Sequence, residues 1–69
     1  MITYNKLFIL LAKNKMKKTD LLEVVSSPTL TKLSKDEIVR MDVIDKICLF
    51  LHCQPGDIME VITKKDEFP

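Results

Sequence analysis

Residues 26–35 read Ser-Ser-Pro-Thr-Leu-Thr-Lys-Leu-Ser-Lys, and the rest of the chain takes its meaning from this stretch. A serine before proline is a helix-start signature. The hydroxyl accepts from an orphan backbone N–H, and proline tolerates the first turn because its missing N–H costs nothing there. The spacing predicts a short helix with Ser27 as N-cap and Pro28 as first residue, running to Ser34. Its only apolar residues, Leu30 and Leu33, lie three apart, so one narrow stripe packs inward and the remainder faces solvent. The outward side then carries Pro28, Thr31, Lys32 and Lys35, flanked by Thr29.

Working upstream, Tyr4, Leu7, Phe8 and Leu11 recur at helical spacing and predict a first helix over 3–14, ending near Asn14 and Lys15. Lys17–Val25 reads as a second, short helix bearing Leu21, Leu22, Val24 and Val25. Downstream, Lys35–Arg40 is a charged connection. Met41–Leu51 then carries the strongest stripe (Val43, Ile44, Ile47, Phe50, Leu51), with Asp45 and Lys46 outside it and Asp42 near its positive end. Gln54-Pro55-Gly56-Asp57 restarts the chain and predicts a fifth helix over 55–62, with Ile58, Met59, Val61 and Ile62 for packing. The polar stretch 63–69 reads as a frayed tail. The expectation is an all-α, compact five-helix domain spanning 1–69, its core over about 3–62, with no strand and no internal repeat.

Composition narrows the class. Sixty-nine residues with 46% apolar content and one glycine suit a single small helical domain with a modest core. Cys48 and Cys53 read as buried thiols of a reducing compartment. With a lone His52 and no second ligand pair, no metal is expected, and neither is a cofactor or small-molecule ligand. The apolar run Leu7–Ala12 is far shorter than the ~20 residues of a membrane span. It also lacks a signal-peptide cleavage pattern, so a cytoplasmic chain without a membrane partner is expected. No carboxylate pair, Cys–His pairing or Gly-rich phosphate loop recommends itself, so no enzyme is expected.

The net charge of +1 conceals an asymmetry. Residues 1–35 hold seven lysines against Asp20 and Glu23, a local charge of +5, while residues 36–69 hold four basic against eight acidic residues, a local charge of −4. A basic half beside an acidic half is an electrostatic footprint for a polyanion on one side, set against the plain alternative of solvated lysines.

From Tyr4 to Ile62, 59 of the 69 residues, the chain resembles the Cro/CI-type helix-turn-helix proteins, the lambda-repressor-like family. YNKLFILLAKNKMKKTDLLEVV is similar to the opening two helices. SSPTLTKLSKDEIVRMDVIDKICLFLHCQPGDIMEVI is similar to the recognition helix, its loop and the closing helices. TLTKL, followed by VIDKIC and CQPGDIMEV, is specific as an ensemble.

The resemblance implies a sequence-specific DNA-binding regulator of transcription, a repressor acting as a homodimer on double-stranded DNA, with helix 28–34 in the major groove. Carried onto this sequence, Pro28, Thr31, Lys32 and Lys35 face outward, flanked by Thr29; Thr31 and Lys32 suit base edges, and Ser26 and Ser27 reach either phosphate or base edges. Lys17 and Lys18, aided by the positive end of the second helix, meet the phosphate backbone, with Lys15 and Lys35 as auxiliary phosphate contacts; Arg40 is able instead to pair with Asp36 or Glu37. The candidate dimer surface is Ile58, Met59, Val61, Ile62 and Phe68, the alternative being that these residues belong to the chain's own core.

One departure stands out: the turn between helices 2 and 3 is about two residues short and has no glycine, and Leu22 fills a position that is usually small. The expected compensation is that helix 2 loses its last turn and Val24 or Val25 plugs the core. The same departure supports a competing function, a helix-turn-helix module or antirepressor that binds another regulator instead of DNA.

Overall fold

The computed structural model describes residues 1–62. It is mostly helical, with a short strand pair: β1 (Ile2–Thr3), α1 (Asn5–Lys13), a 3-10 helix (Lys18–Glu23), α2 (Ser27–Ser34), α3 (Met41–Leu51), a 3-10 turn (Pro55–Asp57) and β2 (Glu60–Val61). The helices α1 and α3 form where the periodic apolar pattern is strongest, and α2 forms behind its Ser26 cap. Leu7 and Leu11 of α1, Leu33 of α2, and Ile44 and Ile47 of α3 are buried together with Tyr4, Leu21, Val25 and Ile58 in one core. Burying a side chain of this size is worth about 1.5–3 kcal/mol each, so this small set carries the fold.

Three expectations need correction. The second helix is a 3-10 helix of six residues instead of an α-helix over 17–25, because the carboxylate of Asp20 accepts from the Lys17 backbone N–H at 2.8 Å and tightens the entry. The expected compensation for the short turn does occur: Val25 is buried and Val24 half-buried, while Leu22 is turned outward, 45% exposed, so its bulk obstructs nothing.

The fifth helix is also replaced. After one 3-10 turn at Pro55–Asp57 the chain extends, and Glu60–Val61 pairs antiparallel with β1 in the register Ile2↔Val61 and Thr3↔Glu60. Helix is lost there because Ile58 drops fully into the core and the two ends of the chain offer each other backbone partners, with Ile62 N–H donating to the Met1 carbonyl at 2.7 Å. The start of α2 shifts by one residue. Ser26 is the N-cap, its hydroxyl accepting from Thr29 N–H at 3.4 Å, and Pro28 lies second in the helix.

All three α-helices stop in the same way, on a non-glycine residue with left-handed backbone: Lys15 (φ 58), Asp36 (φ 57) and His52 (φ 54). At each stop the following N–H reaches back to a carbonyl one turn inside the helix. Met16 donates to Leu11 at 2.8 Å, Glu37 to Lys32 at 2.9 Å and Cys53 to Cys48 at 3.0 Å.

Candidate nucleic-acid interface

The outer side of α2 stays open. Ser27, Pro28, Thr31, Lys32, Ser34 and Lys35 are exposed, Thr29 and Leu30 are half-buried, and Leu33 is buried. The packing of Leu33 on the core and of α2 against the 3-10 helix turns this side outward. The hydroxyls divide into two kinds. Ser26 and Thr29 bond each other at 2.9 Å within the cap, so they stiffen the helix start before they can serve a ligand. Thr31 donates its proton to the Ser27 carbonyl at 3.2 Å and presents its lone pairs and methyl group outward.

Lys32 stands at the edge of a hollow of about 370 Å³ walled by Thr29, Ile38, Val39, Arg40 and Val43. The hollow brings Arg40 to the same side as Lys32. Arg40 does not pair with Asp36 or Glu37; its Nε lies 3.2 Å from Oδ1 of Asp42, in the first turn of α3. That exposed pair leaves guanidinium donors free for an anion, since surface pairs of this kind hold only about 0–1 kcal/mol.

The lysines before α2 are differently placed. Lys15, Lys17 and Lys18 are all exposed. The Lys18 ammonium lies over the Phe8 ring, 4.5 Å from its centroid, which fixes the side chain against α1. The positive end of the second helix, expected to receive a phosphate, is filled by the chain's own Asp20. That leaves Lys17 and Lys18 with only their side chains to offer an anion.

Sequence reasoning missed the groups that orient α2. Asp36, read only as part of a charged connection, accepts through Oδ1 from Tyr4 N–H at 3.0 Å and from the Thr3 hydroxyl at 3.2 Å. The Tyr4 hydroxyl donates to the Glu37 carbonyl at 2.8 Å. Burial pushes the Tyr4 phenol above its ordinary value, with a Val39 backbone hydrogen bond opposing and the Asp36 charge adding to the rise. A helix end predicted at Ser34–Lys35, followed by an aspartate able to hold left-handed backbone, was the only available signal.

Elsewhere the thiols of Cys48 and Cys53 are free and half-buried, less enclosed than expected. Among the described residues no group of three or more His, Cys, Asp or Glu side chains is placed to hold a metal, and no helix is long and apolar enough to cross a membrane.

A short exposed helix, held across a compact core by a preceding helical segment and offering hydroxyls and cations to solvent, defines a helix-turn-helix DNA-binding class. Residues 6–64 match the family described as the Cro/C1-type HTH DNA-binding domain, and the chain belongs to that family. It is 37% identical over 62 residues to "Uncharacterized HTH-type transcriptional regulator YozG" of Bacillus subtilis (strain 168), covering 84% of this chain and 74% of that protein. The fold is similar to that in "Crystal structure of transcriptional regulator VanUg, Form II", with a TM-score of 0.86 and 43% identity over 91% of this chain and 87% of that one.

Proposed function

We propose that the chain is a sequence-specific DNA-binding repressor that inserts α2 into the major groove and occupies its operator as a homodimer. The observation that carries this reading is the uncovered side of α2, where Thr31, Lys32 and Lys35 face solvent. Lys32 is suited to guanine O6 and N7. The Thr31 hydroxyl, its proton already committed, accepts from an adenine or cytosine amino group, and its methyl meets a thymine methyl. Ser27 and Pro28 line the helix entrance, Ser26 and Thr29 hold its cap, and Lys17, Lys18 and Lys35 meet phosphates. Occupying an operator excludes the transcription machinery, which makes repression the outcome.

A single module of this size buries too little for tight specific binding, and two-fold pairing matches half-sites one helical turn apart, about 34 Å. Of the residues assigned to the dimer surface, Ile58 is withdrawn into the core and Met59 half-buried. Val61 and Ile62 remain exposed, next to an exposed Met1. Phe68 lies outside the described residues.

The test is selection of bound fragments from a random DNA pool, followed by titration at two salt concentrations. Affinity falls steeply with salt, and Lys32→Ala combined with Lys18→Ala weakens it and flattens the salt slope by about 1, the share of the phosphate-facing Lys18. Absent or salt-independent binding favours the second reading, a module that binds another regulator. The observation on that side is the Asp20 carboxylate seated where a phosphate was expected.

A further inference from the structure

The family-like glycine is missing from the turn before α2, yet α2 is held in one direction, and the holding is done from its far end. Asp36 performs two tasks there. Its left-handed backbone stops α2, and its carboxylate accepts from Tyr4 N–H and the Thr3 hydroxyl at the start of α1. A second bond, from the Tyr4 hydroxyl to the Glu37 carbonyl at 2.8 Å, fastens the next residue to the same place.

We propose that Asp36 is a positioning residue for DNA binding, setting the angle of α2 against α1 without touching the nucleic acid. The inference rests on the DNA-binding reading above. Its physical basis is that Thr3 is buried, 1% exposed, and Tyr4 only 2%. Without the Asp36 oxygen, a buried hydroxyl and a backbone N–H at the start of α1 lose their acceptor. Asp36 itself is exposed, so water can enter the space its carboxylate leaves and satisfy these groups, but water does not restore the tie between the end of α2 and the start of α1. The clamp thus converts a hydrogen-bonding requirement at β1 and α1 into a fixed direction for α2. A helix swung on its N-terminal cap at Ser26 carries Lys32 and Lys35 furthest from register, because they lie nearest the freed end.

Two variants separate the tasks of Asp36. Asp36→Gly suits the left-handed backbone and keeps the helix stop, but removes the acceptor. Asp36→Asn also tolerates that backbone and keeps an acceptor oxygen, while losing the charge. Both remove a negative charge near the proposed phosphate side, which by itself raises affinity for DNA.

The expected result, at a temperature where circular dichroism shows full folding, is that Asp36→Gly binds the selected fragment about tenfold more weakly or worse, the cost of one mis-seated base contact. Asp36→Asn stays close to the parent, and the salt slope of Asp36→Gly falls by no more than about 1, the share of the displaced Lys35. Residual dipolar couplings of the free chain report a changed angle between α1 and α2 in Asp36→Gly and an unchanged one in Asp36→Asn. Should Asp36→Gly not fold, Tyr4→Phe releases the second bond alone and is expected to shift the same couplings in the same sense.

An unchanged interhelical angle in Asp36→Gly overturns the proposal, whatever the chain binds. Parent-like affinity in a folded Asp36→Gly overturns it as well. Failure of the parent chain to select any DNA defeats the DNA-binding reading, and with it the role of Asp36 there; the couplings then report on the clamp by itself.

Discussion

Residues 15–21 and 52–58 are built alike and do different work. In each, a left-handed residue (Lys15, His52) ends a helix, and two residues later an extended N-cap (Lys17 at φ −104, ψ 159; Gln54 at φ −104, ψ 158) opens a 3-10 turn. The N-cap backbone N–H donates to an aspartate three residues on, Lys17 to Asp20 at 2.8 Å and Gln54 to Asp57 at 2.9 Å. The next residue, Leu21 or Ile58, is fully buried. The correspondence was invisible as a sequence repeat because only the aspartate and the apolar character of the plug are shared within these turns.

What differs is the exit. Leu21 leads through a second 3-10 turn and the buried Val25 to the Ser26 cap, which launches α2. Ile58 leads to an extended pair of residues that meets β1. The same local turn becomes a hinge to the candidate reading helix in one place and a closure of the chain ends in the other. The downstream residues and their distant partners, not the turn, choose between the two.

The sharpest way to probe this equivalence is to remove the plugs. Leu21→Ala and Ile58→Ala each delete a fully buried side chain and are expected to cost about 2–5 kcal/mol in urea unfolding. Matching losses support two equal hinges. A much smaller loss for Ile58→Ala would show that the closing turn is an accessory to the fold.

The aspartates come next. Asp20→Ala and Asp57→Ala each remove a cap-like bond worth about 0.5–2 kcal/mol. Their stability costs are expected to agree, but only Asp20→Ala is expected to strengthen DNA binding, because only Asp20 stands beside Lys17 and Lys18. Equal effects of the two on DNA affinity would place both turns at the same distance from the nucleic acid and break the division of labour.

Smaller still is the cost of the left-handed stops. Lys15→Gly and His52→Gly relieve a backbone conformation that side chains disfavour, and each is expected to raise stability by up to about 1 kcal/mol in the same unfolding assay. A loss at either position would show that its side chain is engaged.

These comparisons also explain what was legible in the sequence. Met41–Leu51 was readable to the residue because a stripe of Ile44 and Ile47, widened by Val43, Phe50 and Leu51, leaves one helical solution. The start of α2 was readable to within one residue, since either serine before Pro28 can cap, and the choice of Ser26 depends on its bond to Thr29. The open face of the site followed from the poverty of apolar residues in 27–34.

The remainder depended on contacts distant in the chain. A two-residue strand at Glu60–Val61 has no periodicity to detect and exists through its pairing with Ile2–Thr3. The 3-10 form of 18–23 turns on one side-chain bond from Asp20. None of the three left-handed stops is glycine, so the usual marker was missing. Lys18 was legible as a cation at the start of the second helix, but its seat on Phe8 follows from how α1 and the 3-10 helix pack.

The last difference between the two hinges lies in the residues that close each helix stop, and it makes one of them sensitive to alkali. At the first stop the paired positions are Leu11 and Met16, which cannot ionise; at the second they are Cys48 and Cys53. Burial pushes the Cys48 thiol from its ordinary value of 9.0 up to about 11, with neighbouring Cys53, Asp45 and Asp57 adding to the rise. Below pH 9 the thiol is protonated whether the chain is folded or not, and stability is insensitive to it. As pH rises from about 9 to about 11, the unfolded chain releases this proton while the folded chain retains it, so stability falls across that window. Urea midpoints measured at intervals between pH 8 and 11 are therefore expected to decline. Cys48→Ala is expected to flatten the lower part of that decline, leaving the later contribution of the buried Tyr4 phenol, which has the same sign. A decline equally steep in Cys48→Ala would assign the alkaline loss to groups outside the second hinge and restore the two turns to chemical equivalence.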